Sequence, residues 1–404
     1  MISVSVLGYG TVGSGVVEIL KKNQGVIDAR TGEEIRVKSV LDLREFPGDP
    51  VQDILVHDFK DVANDEEVSI VVETMGGLHP AYEFVKEALE KGKSVCTSNK
   101  ELVAAYGPEL LSIAEEKNVN FLFEASVGGG IPIIRPLKTA LQPEEIEEIT
   151  GILNGTTNYI LTKMTNEGLD FDSVLKDAQE KGYAERNPEA DVEGYDACRK
   201  IAILTSLAYG KQTDYQDIYT EGITKITDRD IVYAKALSAK VKIFGTSRKT
   251  DGKVWAMVAP MLINQDSPLY SVDDVFNAIL VKGNTLGEVM FYGKGAGMLP
   301  TASAVVSDVI DAAKHIGKNI KTLWTDEKME LTGTEQVKNR FFIRLSGDKA
   351  ANEAKVKEIF GSVQDVDAGF TDEYGFITEK ITEGAYKEAE NTLGNVINKI
   401  RVDF

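Results

Sequence analysis

An apolar, β-branched run from Ile2 to Leu7 breaks at Gly8-Tyr9-Gly10-Thr11-Val12-Gly13 and continues as a helical pattern over about Ser14 to Lys22. Strand, glycine turn and helix in that order leave few folds open to the chain. Gly8 permits the tight turn, Gly10 lets backbone approach a pyrophosphate, and Gly13 lets helix pack on strand, with the helix N-terminus aimed at the anion. A turn with incidental glycines is the alternative. The order that follows favours the dinucleotide reading: Ile35 to Leu41 and Ser69 to Glu73 as strands, Pro80 to Lys91 as a helix, Ser94 to Cys96 as a further strand. This alternation predicts an α/β fold with a Rossmann-type, doubly wound parallel sheet.

Functional residues in such a sheet come from the carboxyl ends of its strands. The expected cofactor-binding set is therefore Gly8, Gly10, Thr11, Val12 and Gly13 in the first turn, Thr74 and Gly76 after a later strand, and Ser98 and Lys100 after the next. Asp42 ends the second strand, where an acid bonds a ribose hydroxyl, while Arg44 stands where a cation holds a 2′-phosphate. The two signals conflict, so NAD and NADP stay undecided. Lys100 as a solvated lysine at a helix start, and Asp42 as a turn residue ahead of Pro47, are the plain alternatives. Cys96 reads as a small buried residue, with no histidine near it in sequence.

Farther along, GYAERNPEADVEGYDACRKIAILTSLAYG places Glu185, Glu189, Asp191, Glu193 and Asp196 ahead of Lys200. Ala197, Ile201, Leu204 and Ala208 keep helical spacing, so the helix packs into the protein and the charges beside it need partners or a ligand. A small charged substrate is one such ligand; a surface ion pair between Asp196 and Lys200 is the other reading.

Composition narrows the classes. A net charge of −19 leaves no basic excess for a nucleic-acid backbone, so small molecules are the expected partners. No apolar run is long enough to span a bilayer, and the N-terminus lacks a signal-peptide pattern, which makes the cytoplasm the expected location. Two cysteines and three histidines without ligand spacing predict neither a disulfide framework nor a transition-metal site.

Six ordered stretches together resemble homoserine dehydrogenase. They are GYGTVGSGVV at Gly8 to Val17, TSNKELVA at Thr97 to Ala104, EASVGGGIPIIRPL at Glu124 to Leu137, GILNGTTNYIL at Gly151 to Leu161, the acid-rich helix through Lys200, and GKGAGMLPTASAVVSD at Gly293 to Asp308. The resemblance covers about residues 1 to 320. It implies NAD(P)H-dependent interconversion of aspartate 4-semialdehyde and homoserine, within threonine, methionine and isoleucine biosynthesis. It further implies that Lys200 donates the proton, Asp196 orients it, and Lys100 meets cofactor and substrate. Glu185 and Asp191 would hold the substrate ammonium, with Gly155, Thr156 and Tyr183 in the same pocket. Gly295 and Gly297 would approach the nicotinamide, a plain helix N-terminal turn being the alternative, and Glu124, Val127, Gly129 and Ile131 would bind a monovalent cation, commonly sodium in this family. A homodimer or dimer of dimers is implied as well. The chain opens directly on its first strand, so no kinase module is expected ahead of it.

The expected organisation is a dinucleotide-binding domain from 1 to 130 plus about 295 to 320, an α+β catalytic and dimerisation domain from 131 to 294, and a C-terminal module from 338 to 404. In the last, Arg340 to Leu345, Ala351 to Phe360, Val363 to Ala368, Gly375 to Ile381 and Tyr386 to Ile397 read as strand, helix, strand, strand, helix, a ferredoxin-like order that looks like an ACT domain. Such domains usually carry an Asp-x-Pro-Gly-like turn after the first strand. Here the turn is Gly347-Asp348-Lys349-Ala350-Ala351, which weakens threonine feedback as an expectation and favours an oligomerisation role. Two other readings stay open: a different amino-acid semialdehyde oxidoreductase, and a catalytically silent amino-acid sensor.

Overall fold

The computed structural model describes all 404 residues. They form two compact units. The first gathers Met1–Glu144, Ala202–Asp214 and Phe291–Met329; the second gathers Glu145–Ile201, Tyr215–Met290 and Glu330–Phe404.

In the first unit six strands, β1 (Ile2–Leu7), β2 (Ile35–Leu41), β3 (Leu55–Val56), β4 (Val68–Glu73), β5 (Ser94–Thr97) and β6 (Phe121–Leu122), lie in the order β3-β2-β1-β4-β5-β6. All five pairings are parallel. This is the Rossmann order, with its switch point between β1 and β4. The central strands are buried on both faces, so the positions between the apolar ones are covered too: Ser5 between Val4 and Val6, and Val71 between Ile70 and Val72, are fully buried. Helices Thr11–Lys22 and Met298–Lys314 cover one face, and Ala302, Val305 and Val309 complete the same apolar cluster as Val4, Val16 and Leu20. Glycine at position 15 permits this contact, since a Cβ there would lie 2.9 Å from that of Ala302.

The second unit holds a mixed sheet of 11 strands. Its main path runs Gly287–Lys294, Phe276–Gly283, Ile146–Ile152, Lys240–Thr250, Lys253–Ile263, Val396–Val402, Lys338–Ser346, Glu373–Thr378 and Val363–Val366. From Phe276–Gly283 onward the pairing along this path is antiparallel except where Lys253–Ile263 meets Val396–Val402.

The last four strands with helices Lys349–Phe360 and Glu383–Leu393 make a strand-helix-strand-strand-helix-strand unit in the spatial order 4-1-3-2, a ferredoxin-like topology. One element differs from the sequence reading. The final helix stops at Leu393, not near Ile397, because Gly394 takes the left-handed cap conformation (φ 73°), and Val396–Val402 becomes the strand that joins the two halves of the sheet.

Buried charge stitches this junction. Arg344 is 2% exposed and donates to Asp230, Glu373 and the Thr227 hydroxyl at 2.6–2.9 Å. Arg401, 1% exposed, bonds Glu383 and Glu221. A buried ion pair returns its desolvation cost only when every lone pair is met, and losing one partner strands the others. Replacing Arg344 by Met, which leaves Asp230 and Glu373 without their shared cation, is expected to cost about 3 kcal/mol. A urea midpoint equal to that of the parent protein would contradict it.

Candidate active site

The cofactor side is built from the first unit's strand ends. Gly8 has φ +92°, and a Cβ on Gly13 would stand 1.9 Å from the Gly8 carbonyl oxygen, so the helix can begin where it does only with glycine there. Around Gly10 a Cβ would meet nothing within 4 Å. That open side, and a helix start at Thr11 whose N-cap Gly10 supplies no side-chain acceptor, leave N–H groups for an anion. A cavity of about 530 Å³ opens beside them, lined among others by Gly8, Gly10, Asp42, Arg44, His57 and Thr74.

At the far end of this cavity Asp42 accepts hydrogen bonds from the Tyr9 N–H (2.8 Å) and the Arg44 N–H (3.0 Å). It also accepts both Nε and Nη2 of the Arg44 guanidinium at 2.9 and 2.8 Å. The Arg44 side-chain bonds are the main force holding the Asp42 carboxyl far below the usual carboxylate range. Arg44 itself is exposed. His57, which the sequence reading did not single out, bonds the Asp42 carbonyl oxygen (2.7 Å) and Glu45 (3.0 Å), and the first contact raises its pKa.

Thr74 hydrogen-bonds the carbonyls of Leu7 and Gly8, fixing the turn after β4 to the glycine turn. Gly76 has φ +76° and is exposed; Ser98 is half-buried, and Lys100 opens the helix Lys100–Glu116 capped by Asn99. Thr11 is exposed and Val12 half-buried at the start of the first helix. Gly297, φ +115°, precedes the helix Met298–Lys314.

The EASVGGGI turn lies in the same unit. Its glycines are demanded by packing: a Cβ on Gly129 would stand 2.2 Å from the Gly295 carbonyl oxygen, and one on Gly130 2.8 Å from Pro300. The Glu124 carboxylate accepts the N–H groups of Ile133, Ile134 and Arg135 at 2.6–2.8 Å, so its side-chain oxygens cap a helix. Asp308, fully buried behind it, accepts the Glu124 N–H and pairs with Arg135; burial, and then the charge of Glu124, push it up to about 7. Val127 and Ile131 are buried in the same turn.

In the second unit the acid-rich segment divides. Glu189–Val192 forms one helical turn, Gly194 (φ +83°) breaks it, and Tyr195–Tyr209 starts afresh. Asp196 and Lys200 are therefore one turn apart on a single face, and they are 6% and 9% exposed, which removes the surface-pair alternative. Lys200 Nζ donates to Asp196 Oδ2 (2.7 Å) and to the Leu153 carbonyl (2.8 Å). Two partners leave one ammonium hydrogen for a ligand oxygen.

Asn154 is the functional candidate that sequence reasoning missed. Its side-chain amide donates to Asp191 (2.7 Å) and Asp196 (2.9 Å), while its carbonyl oxygen caps the helix Gly155–Glu167 through the Thr157 N–H. The signal was available in the sequence, since Asn before Gly-Thr-Thr is an N-cap pattern. Gly155 answers to packing, for a Cβ there would lie 2.9 Å from the Val275 carbonyl. The Thr156 hydroxyl bonds the Tyr183 carbonyl (2.6 Å), and the Tyr183 ring packs edge-on against Tyr159. Asn154, Asp191, Asp196 and Lys200 thus form one hydrogen-bonded set. Glu185 is exposed on the neighbouring turn, where its backbone carbonyl accepts the Gln179 side-chain amide.

A Rossmann sheet with this glycine turn, and a mixed-sheet unit carrying a buried lysine–aspartate pair, define a nicotinamide-dependent oxidoreductase of small polar substrates. Known proteins give the particular family. The model described as "Homoserine dehydrogenase" matches residues 132–310, and that described as "Homoserine dehydrogenase, NAD binding domain" matches residues 8–124. The homoserine dehydrogenase of Synechocystis sp. is 42% identical over 412 residues, covering 96% of this chain and 95% of its own, and that of Bacillus subtilis 43% over 318 residues, covering 78% and 73%. Among solved structures, a homoserine dehydrogenase from Thiobacillus denitrificans has a TM-score of 0.90 at 35% identity, covering 100% of this chain and 98% of its own. A hyperthermophilic archaeal homoserine dehydrogenase in complex with NADPH has a TM-score of 0.68 at 30% identity, covering 80% and 99%. The chain belongs to the homoserine dehydrogenase family, and its reaction is the NAD(P)-dependent interconversion of L-aspartate 4-semialdehyde and L-homoserine.

Proposed function

We propose that Lys200 is the proton donor of this reaction, and the observation that carries the proposal is its burial with Asp196, Asn154 and the Leu153 carbonyl in one network. A bound nicotinamide supplies the hydride. As hydride reaches the aldehyde carbon, negative charge grows on its oxygen; the remaining Lys200 N–H stabilises that charge and then gives up the proton, yielding the alcohol. In the oxidative direction the neutral amine takes the proton back. Asp196 fixes the ammonium, and Asn154 fixes Asp196 while linking it to Asp191. Asp191 and Glu185 are the partners of the substrate ammonium, with Gly155, Thr156 and Tyr183 bounding the pocket, and Lys100 acts at cofactor and substrate.

The residues of the first unit fit a dinucleotide: Gly8, Gly10, Thr11, Val12 and Gly13 would hold its pyrophosphate, Thr74, Gly76, Ser98, Lys100 and Gly297 its nicotinamide half, and Asp42 and Arg44 its adenosine end. We assign NADP(H) as the preferred form. Asp42 already accepts four hydrogen bonds, which leaves little for a ribose hydroxyl, whereas the exposed guanidinium of Arg44 offers charge to a 2′-phosphate.

A sodium-like cation would meet backbone oxygens of Glu124, Val127, Gly129 and Ile131, because the Glu124 carboxylate is engaged by backbone donors; its role is structural. A homodimer accounts for the edge strand Gly287–Lys294, which presents exposed Met290 and Tyr292. A cytoplasmic setting suits the two buried thiols, Cys96 and Cys198; no helix is long and apolar enough to cross a membrane. The C-terminal module acts in assembly and not as a threonine sensor. The turn after its first strand is filled by the Asn352 amide, which bonds the carbonyls of Ser346, Gly347 and Asp348.

Lys200→Ala is expected to keep NADPH binding while turnover falls about 100-fold or more, and Glu185→Ala to raise the homoserine KM with kcat little changed. Near-normal turnover in the first, or an unchanged KM in the second, refutes that role. Arg44→Ala should raise the KM for NADP about tenfold and leave that for NAD nearly unaltered; equal effects on both would reject the 2′-phosphate assignment. Activity should hold constant through a threonine titration, and clear inhibition would overturn the assembly role.

A further inference from the structure

Glu73, the last residue of β4, is wholly buried, and the chemistry above gives it no part. Its Oε1 accepts the N–H groups of Met75 (2.8 Å) and Gly76 (3.2 Å), and its Oε2 accepts the Thr97 hydroxyl at 2.5 Å. Thr97 in turn accepts the Asn99 N–H (2.9 Å), and the Asn99 amide donates to the Gly77 carbonyl (2.6 Å). The Asn99 carbonyl oxygen closes the set by capping the helix that Lys100 begins. These bonds form a ring through two loops from neighbouring strands, 74–77 after β4 and 98–100 after β5.

We propose that Glu73 is a positioning residue for the nicotinamide cofactor: through Thr97 and Asn99 it holds the Thr74–Gly77 and Ser98–Lys100 loops at one fixed separation. The inference rests on the assignment of these two loops to the cofactor. The Met75 and Gly76 N–H groups can only donate, so Glu73 acts as their acceptor through Oε1. Burial acts against its charged form and raises the pKa. An ionisable group kept at such cost, on a strand whose neighbours Ile70, Val71 and Val72 are fully buried, has its use in the three donors it gathers. Gly76 and Gly77 both have positive φ, so the first loop has little rigidity of its own, and a fixed acceptor is what gives it one shape.

The test is NADPH affinity, read from the change in its fluorescence on binding, together with KM and kcat for each substrate. Thr97→Val removes the hydroxyl that joins the loops, and Thr97→Ser restores it. Thr97→Val should weaken NADPH binding about tenfold and raise the cofactor KM. The homoserine KM should stay within about twofold of the parent value, and Thr97→Ser should recover parental affinity. Glu73→Gln should resemble Thr97→Val; if it does not fold, the Thr97 pair decides the matter alone. Lys100→Met in the same titration separates the two levels of the argument. Parental affinity in Thr97→Val with weakened affinity in Lys100→Met overturns the role of Glu73. Parental affinity in both overturns the placement of these loops at the cofactor, and the proposal with it.

Discussion

The second unit is organised around the buried contact between Lys200 and Asp196. Two opposite charges with little solvent access cost several kcal/mol to desolvate, and attraction between them offsets this only if their remaining hydrogen-bonding capacity is used. The protein uses it through the Leu153 carbonyl and the Asn154 amide, which follow directly on the strand Ile146–Ile152. Strand end, helix cap and charged helix are thereby held in one arrangement. The sheet makes room for it: Gly245 pairs in register with Gly151, and a Cβ at 245 would stand 2.8 Å from Leu153 and 3.1 Å from Ile201. Glycine at 245 lets the helix lie close to the strand, and glycine at 151 leaves room for the Leu153 side chain, whose carbonyl Lys200 reaches.

The first unit solves a related problem differently. Its sheet interior is largely aliphatic, and a buried acid and two threonines lie at the carboxyl ends of the strands, where Glu73, Thr74 and Thr97 bind backbone and hydroxyl groups of adjoining loops. Asp42 does the same at the end of β2, holding Tyr9 and Arg44. Loops shaped by fixed acceptors can present N–H groups to a dinucleotide without reorganising, which is the condition for tight and specific binding of an anion.

The C-terminal module is continuous with the mixed sheet. Val396–Val402 pairs with Lys253–Ile263 on one side and with Lys338–Ser346 on the other, and the Arg344 and Arg401 networks join its strands to residues 221 and 227–230. Movement of this module against the rest of the sheet would have to break those buried ion pairs.

Local pattern was enough to establish much of this protein. The β-branched runs, the Gly8–Gly13 turn and the alternation of strand and helix determined a Rossmann unit, because period and turn chemistry act over a few residues. Asp196 and Lys200 at i,i+4 were likewise legible as a pair. Gly394 was a legible stop that the longer helical reading passed over. What the sequence did not reveal were partners fixed by folding. Lys200 meets a carbonyl 47 residues away, Asp196 an amide 42 away and Glu73 a hydroxyl 24 away. Only the tertiary structure decided that the Asp196–Lys200 pair is buried, that Asp42 is already committed to Arg44, and that the glycines of the 128–130 turn serve packing. Each depends on what the rest of the chain places beside a residue, and burial sets the strength of a charge's interactions more than the charge itself does.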